Sequence, residues 1–427
     1  MSFYNNLPSD LDKLRELVAE NEEINMKKEY ETYSVLYNDV KEYIITNKLP
    51  LYGGMALNEL LPKQKKFYEK YTLPDYDCFS PHAKTHAIEL ADFLKSKGHN
   101  YVEVKGGVHK GTYKVYAEFH PAADITQCSK HFYEFLITTA ATNPVKYKRD
   151  ANLVICPIVF LKWSLYMEMA RPEGSIYRWE KIYGRYEVFH STHKSVDKKL
   201  KISYLESVED DKLLLPGMSD IIEQLVEVIK LQDMPLIGHF GVGLHLNPMK
   251  TVNLECCRMS TEKSMFEILS TNIFATFEII KKHIKLPVGD SLTSYTRGVS
   301  KKYFKEVLPP RLRIYVERPG GIKVPILTIM EVSQECYSTQ QISGFTVGTV
   351  DTILQYLYGY YITYLAFEKD KSVPDSTMKL IKSLEKYIDK YLPGIKSRFS
   401  TKCFGKQKTL LNIKKEKWAK SGFFYRP

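Results

Sequence analysis

The chain has 427 residues, 44% of them hydrophobic and 26% charged, which is too long for one core and globular in composition, so two or three domains are expected. The formal net charge is +11, and residues 396–427 alone hold ten Lys or Arg against one acid, Glu416, leaving the body nearly neutral. The seven cysteines contain no C-x-x-C pair, which argues for a reducing compartment and against a zinc ribbon or a disulfide framework. The longest apolar run, Leu153 to Leu161, contains Pro157 and is too short to span a bilayer. "MSFYNNLPSD" lacks a basic-then-apolar leader pattern, so an intracellular protein is expected.

In chain order, "SDLD" opens a helical region over residues 9–46, with Ser9 as the N-cap and Leu11, Leu14, Leu17 and Val18 at helical spacing. Residues 55–71 form a second helical zone, 72–79 read as a strand, and 83–97 as an amphipathic helix stopped by Gly98. "YVEVKGGVHKGTYKVYAEFHPAADIT" reads as a hairpin of two β-rich runs around Lys110-Gly111. Residues 131–190 return to helix, starting anew near Pro157 and breaking at Arg171-Pro172. The polar stretch 191–216 reads as an inter-domain connection. "MPLIGHFGVGLHLNP" (234–248) echoes "LPLYGGMALNELLP" (49–62). A helix (264–284), a strand pair turning at Pro319-Gly320-Gly321 (311–333) and a long helix (349–367) follow it, so an internal duplication is expected.

The chemistry concentrates in the first cycle. Gly53 and Gly54 stand between an apolar stub and a helical run, a poor place for glycine unless a ligand or backbone approaches closely. In "LPDYDCF", Asp75 and Asp77 are two residues apart, so on a strand both carboxylates share a face. Like charges so placed call for a cation between them, and Mg²⁺ favours a few carboxylates together with substrate phosphates. A third acid follows on the hairpin, either Asp124 in "AADIT" or Glu118 in "VYAEF". Asp124 is preferred because small and apolar neighbours suit a packed strand end. Glycine N–H groups can cradle a triphosphate, and three carboxylates can hold two Mg²⁺ ions for in-line nucleotidyl transfer.

"YGGMALNELL", "LPDYDCFS", "GGVHKGTYKVYAEFHPAADIT" and "EMARPEGSIYRWEKIYGR" resemble the poly(A) polymerase catalytic subunits of large cytoplasmic DNA viruses, within the polymerase-β-type nucleotidyltransferase superfamily. The resemblance spans at least residues 50–186. It implies an α+β polymerase-β-like nucleotidyltransferase fold, a mixed sheet with flanking helices, to which the internal echo adds an expected second, degenerate nucleotidyltransferase-like domain. It implies catalysis and metal binding by Asp75, Asp77 and Asp124, with Mg²⁺ or Mn²⁺. ATP is then the substrate, its triphosphate lies on Gly53 and Gly54, and an RNA 3′ end is the acceptor. It further implies a homodimer or a processivity subunit as partner, no membrane association, and a location in the host cytoplasm (the viral factory) and the virion. Gly-Gly replaces the superfamily's Gly-Ser, so backbone N–H must serve where a hydroxyl would. The rival readings are a CCA-adding, uridylyl- or oligoadenylate-type transferase, or an inactive RNA-binding scaffold of the same fold.

The expected divisions are 1–46 (helical), 47–190 (catalytic, with following helices), 191–216 (connection), 217–395 (degenerate second domain) and 396–427 (basic tail). The second cycle shows "CRMSTEKS" at the matching distance after Gly238, with no D-x-D. Lys162, in the apolar helix "IVFLKWSLYM", needs either an anion such as a nucleotide phosphate or a route to solvent. Arg171, Arg178, Trp179, Lys181 and Arg185 could hold RNA backbone or form a solvated face, with Trp179 better read as core. In the tail, Phe404, Trp418, Phe423, Phe424 and Tyr425 interleave with the charges, a pattern of nucleic-acid contact or of a packed segment.

Overall fold

A computed structural model describes residues 10–68, 70–142, 152–194, 217–246, 266–297, 307–332, 335–367, 372–392 and 398–421. The chain divides into two compact units, 1–157 and 158–427. Most of the 191–216 connection, "CRMSTEKS", and Phe423 to Tyr425 lie outside the described residues.

The first unit opens with helix α1 (Asp10–Thr46), whose C-terminal turns bury Leu36, Tyr37, Val40, Tyr43 and Ile44 at three- and four-residue spacing. Then come β1 (Leu51–Tyr52), α2 (Gly53–Glu59), β2 (Tyr76–Ser80), α3 (Ala83–Ser96), β3 (Glu103–Gly106), β4 (Thr112–Ala117), β5 (His120–Gln127) and α4 (Lys130–Thr142). The sheet order is β1-β2-β5-β4-β3, with β2 and β5 parallel and the other pairs antiparallel. Apolar residues of α3 (Ala83, Ala87, Leu90, Leu94) and of the strands (Cys78, Val115, Ala117, Ile125) are fully buried, so alternation leaves one face of each strand for function.

The expected single hairpin is two hairpins. The second β-rich run folds again at Glu118-Phe119, both left-handed at φ 49° and 64°. That turn carries no Gly or Asn. It is held by Asn100 N–H donating to Glu118 Oε1 (2.7 Å) and Glu118 N–H donating to Asn100 O (3.0 Å). The helical zone at 55–71 shortens to α2 and a single 3₁₀ turn, Lys63–Lys65.

The second unit contains α5 (Ile158–Met169), α6 (Pro172–Ser175), α7 (Trp179–Thr192), α8 (Met218–Leu231), β6 (Leu236–Ile237), α9 (Gly238–Leu246), β7 (Phe266–Ser270), α10 (Ile273–His283), β8 (Ser291–Arg297), β9 (Arg311–Glu317), β10 (Lys323–Glu331), β11 (Cys336–Ile342), β12 (Phe345–Gly348), α11 (Val350–Phe367), α12 (Ser372–Tyr391), β13 (Cys403–Gly405) and α13 (Leu410–Ser421). Its sheet runs β13-β11-β12-β6-β7-β10-β9-β8. The five strands β6-β7-β10-β9-β8 repeat β1-β2-β5-β4-β3 in order and direction. The repeat extends further. β1 takes a parallel bridge from Ile155 just before α5, and β6 pairs in parallel with β12 just before α11. Two copies of one topology in one chain agree with an internal duplication.

Four expectations need correction. Helices α5 to α7, which the sequence reading attached to the catalytic domain, belong to the second compact unit, where α5 packs on α11. The expected helix over 264–284 begins as strand β7, which the β-branched and aromatic content of "FEILS" suits. The basic tail starts inside the second unit. Arg398 is fully buried and its Nη2 donates to Asp351 (2.6 Å), and β13 pairs with β11. That pairing also joins Cys336 to Cys403 in a disulfide, with Cα atoms 5.5 Å apart, whereas the sequence reading expected reduced cysteines. No helix among the described residues is long and apolar enough to cross a membrane.

Candidate active site

Strand register assembles the site. Tyr52 stands opposite Asp77, Asp77 beside Asp124, and Asp124 opposite Lys114. The four residues form one row across β1, β2, β5 and β4, on one face, with neighbouring strands about 4.8 Å apart. Asp75 lies one residue ahead of β2 and is exposed, and alternation puts it on the same face as Asp77. Its charge reaches Tyr37 of α1, whose hydroxyl is pushed up to about 12, first by burial and then by Asp75 and Glu29.

Asp124 pairs with the Lys114 ammonium. Burial alone would lower the Lys114 pKa, but the hydrogen bond and charge of Asp124, helped by Asp77, raise it. Lys114 thus supplies the positive charge this row of acids demands. Asp75, Asp77 and Asp124 do not gather their carboxylates within 4.8 Å of one another, consistent with Asp124 being turned to Lys114. Two acidic side chains in register, a third beside them and a cation already drawn in make a donor set that fits divalent metal.

Tyr52 closes the other end of the row. Its hydroxyl shares a hydrogen bond with Thr126 (2.9 Å), its ring stacks on Phe79 (4.3 Å), and burial and Asp77 hold its pKa far above the usual range. Beneath the row, burial, with Asp77 and Asp124 adding, keeps the Cys78 thiol protonated.

Gly53 adopts φ +72°, and a Cβ there would fall on Asp77 Oδ2 and lie 3.3 Å from Cγ. Glycine is therefore required twice, for the left-handed turn and for the carboxylate that comes up against it. Gly54 is buried and continues α2. Of the two third-acid candidates, Asp124 is in the row, while Glu118 sits in the turn and accepts from Asn100.

Lys162 reads differently in the structure. It is 4% exposed, in α5 of the second unit, and its Nζ donates to both oxygens of Glu385 (3.0 and 3.1 Å). Tyr166 and Tyr358 donate to the same carboxylate. Burial opposes ionisation of Glu385, but the Lys162 and His190 charges and the Tyr358 bond outweigh it and lower its pKa. The ammonium neither reaches solvent nor awaits an anion. Arg171 pairs with Glu335 and Glu168, Arg178 with Glu168, and Trp179 Nε1 donates to Glu168 O (3.1 Å), so these residues serve the second unit's own packing. His190 is buried within α7, with Nε2 3.3 Å from Asp389.

The second copy of the fold keeps the turn but only one of the acids. Gly238 is left-handed (φ +64°), and a Cβ there would meet the Glu267 carboxylate, as Gly53 meets Asp77. The corresponding row is Ile237, Glu267, Thr328 and Arg313. One acid remains where the first unit has two. Tyr360 of α11 hydrogen-bonds Glu267, and Arg311 lies 5.2 Å from the Tyr360 ring centre. Buried arginines and a tyrosine thus crowd the face that in the first unit carries the half-buried Asp77, Asp124 and Lys114. The sequence reading missed Glu267 because 28 residues separate it from His239, outrunning the Gly54–Asp77 spacing. It missed Lys114 because that residue's place depends on the Glu118-Phe119 turn.

The β1-Gly-α2-β2 entry, the parallel β2–β5 pair and the acidic row on their shared face agree with the α+β nucleotidyltransferase fold that the sequence resemblance implies. Residues 38–175 match the family described as poly(A) polymerase catalytic subunit. A protein of African swine fever virus provisionally named such a subunit is 35% identical over 105 residues, 24% of this chain and 22% of its own length. One from Acanthamoeba polyphaga mimivirus, named likewise, is 31% identical over 90 residues, 20% of this chain and 15% of its own. The match thus spans about a fifth of the viral relatives' length. The crystal structure of the Megavirus polyadenylate synthase superposes with a TM-score of 0.73 over 99% of this chain and 85% of that one, at 17% identity, a likeness of fold.

Proposed function

We propose that the chain is a template-independent poly(A) polymerase, adding AMP from ATP to RNA 3′ ends. The observation that carries this reading is the Tyr52-Asp77-Asp124-Lys114 row beside the left-handed Gly53 turn, in a segment that matches the poly(A) polymerase catalytic subunit family.

Asp75, Asp77 and Asp124 would hold divalent metal, which when bound neutralises phosphate charge and lowers the pKa of the attacking hydroxyl. Asp75 and Asp77 would each offer carboxylate oxygens to the metal, and Asp124 would complete the set on the side of the RNA 3′-hydroxyl. The Gly53-Gly54 backbone has no side chain to keep a triphosphate away and offers N–H donors to it. Lys114, now paired with Asp124, would release that carboxylate to a metal and remain beside the row as a compensating cation. The residues contribute position and charge rather than a covalent intermediate, and orientation of this kind accounts for a large share of such rate enhancements. Only the first unit is assigned catalysis, because the second row has a single acid, already engaged by Tyr360.

The test is primer extension with each NTP supplied separately and Mg²⁺ present. A ladder with ATP alone is the expected result. Equal or better extension with UTP or CTP would move the assignment to another terminal transferase, and extension with none, on a primer shown to bind, to a scaffold.

A further inference from the structure

The C-terminal segment ends in a feature that the catalytic reading does not use. Lys406, Gln407, Lys408, Asn412, Lys415 and Glu416 line an open hollow of about 380 Å³. Three lysines face one acid, and Lys408 spans to Glu416 (2.8 Å), folding the stretch after β13 onto helix α13. The hollow is anchored. Phe404 pairs with Tyr337 across β13 and β11, Thr339 N–H donates to Lys402 O (3.0 Å), and Asn412 N–H donates to Thr409 Oγ1 (3.1 Å) at the start of α13. By contrast α13 has 12 residues and exposes nearly all of its described side chains. A helix this short is marginal on its own in water. Lys414 extends the same charge along the helix. A preorganised cationic hollow beside an uncovered basic helix fits an extended polyanion by charge complementarity.

We propose that this hollow is a binding site for the phosphodiester backbone of single-stranded RNA, gripping the acceptor without reading its sequence. The proposal rests on the polymerase reading, which makes RNA the acceptor. Phosphate contacts from lysine carry no base information and position the strand, as an enzyme extending arbitrary 3′ ends requires.

Deleting the whole basic tail would be a poor test, since Arg398 is part of the core. The better variant is Lys406→Gln/Lys408→Gln/Lys415→Gln in the full chain, all three being surface-accessible side chains of the hollow. Binding of a labelled mixed-sequence RNA of about 20 nucleotides, longer than the usual single-strand site size, is followed by anisotropy without ATP. Three lost phosphate contacts should make the log–log salt slope shallower by about 2. Between about 50 and about 200 mM salt the unaltered chain should then lose roughly twentyfold more affinity than the variant. Glu416→Gln, which removes the acid lining the hollow, should tighten binding. ATP-dependent extension at saturating RNA should be unchanged in both.

Unchanged affinity and slope in the triple variant, with extension intact, would overturn the site and leave the polymerase reading standing. So would a variant that loses binding only to phosphatidylserine-containing vesicles, which would reassign the hollow to lipid. Absence of RNA binding by the unaltered chain would overturn both readings.

Discussion

Gly53→Ala separates the cost of folding from the cost to chemistry. An alanine there must hold φ near +72°, a strain of about 1–2 kcal/mol for an L-residue. Its methyl would also fall on Asp77 Oδ2, while Asp77 Cγ and Cβ stay 3.3 and 3.4 Å away. Only the far end of the Asp77 side chain has to move, and that motion is cheap. Stability should therefore drop by about 1–2 kcal/mol, much the same with Asp77→Ala in the background. Activity should fall far more, because the displaced group is the carboxylate in register with Asp124. Misplacement of a catalytic group by about 1 Å can cost roughly 100-fold, so kcat/KM for ATP should drop at least that much. Urea melts of the four proteins of the cycle and primer extension by the two that keep Asp77 give both numbers. Gly53→Ala activity within about threefold of the unaltered chain, at the expected stability loss, would refute the role assigned to the turn.

His245 predicts an acid-sensitive fold. Burial lowers its pKa to about 4 against the hydrogen bond to Gly348 O, and Gln340 Nε2 donates to its Nδ1 (3.3 Å), so the ring is held neutral. Its contribution is present above the unfolded value near 6.5 and is lost as pH falls towards 4, up to about 3 kcal/mol; denaturant melts of His245→Gln should flatten across that window, and an unchanged pH profile would count against it. Lys162→Met should cost about 3–5 kcal/mol by stranding Glu385, while Lys162→Met/Glu385→Leu should recover most of it and leave the KM for ATP unaltered. A raised KM without loss of stability would restore the phosphate role for Lys162. Glu267→Gln should lower stability by about 1–3 kcal/mol through its buried bond to Tyr360 without slowing extension, and a slowed single-turnover rate would show that the second row takes part in catalysis.

The parts of the site that were legible in the sequence were those set by local rules. Two carboxylates at strand spacing, glycines ahead of a helix, and the 49–62 and 234–248 echo depend on neighbours within a few residues. What was hidden depended on register. Lys114 joins the row only because the chain folds back at Glu118-Phe119, two residues whose positive φ no propensity suggests. Lys162 looked available because its partner, Glu385, lies 223 residues later. The tail read as a separate basic segment because composition reports charge and not the contacts, among them the buried Arg398–Asp351 pair and the β13–β11 pairing, that stitch it to the second unit. Glu267 escaped because a longer connection moved it beyond the matching distance, although the fold carried it back to the same place beside a left-handed glycine.

If the acidic row is the catalytic centre, neither of its acids is dispensable. The most direct measurement is the single-turnover rate of AMP addition by Asp77→Asn and Asp124→Asn, each compared with Lys114→Gln and the unaltered chain across a Mg²⁺ titration. Loss of a metal-holding acid should slow the step by at least about 100-fold at every Mg²⁺ concentration, whereas Lys114→Gln, which only frees Asp124 from its stand-in cation, should retain the chemistry. Rates for both acid variants within about tenfold of the unaltered chain would contradict the row as the place where the reaction occurs.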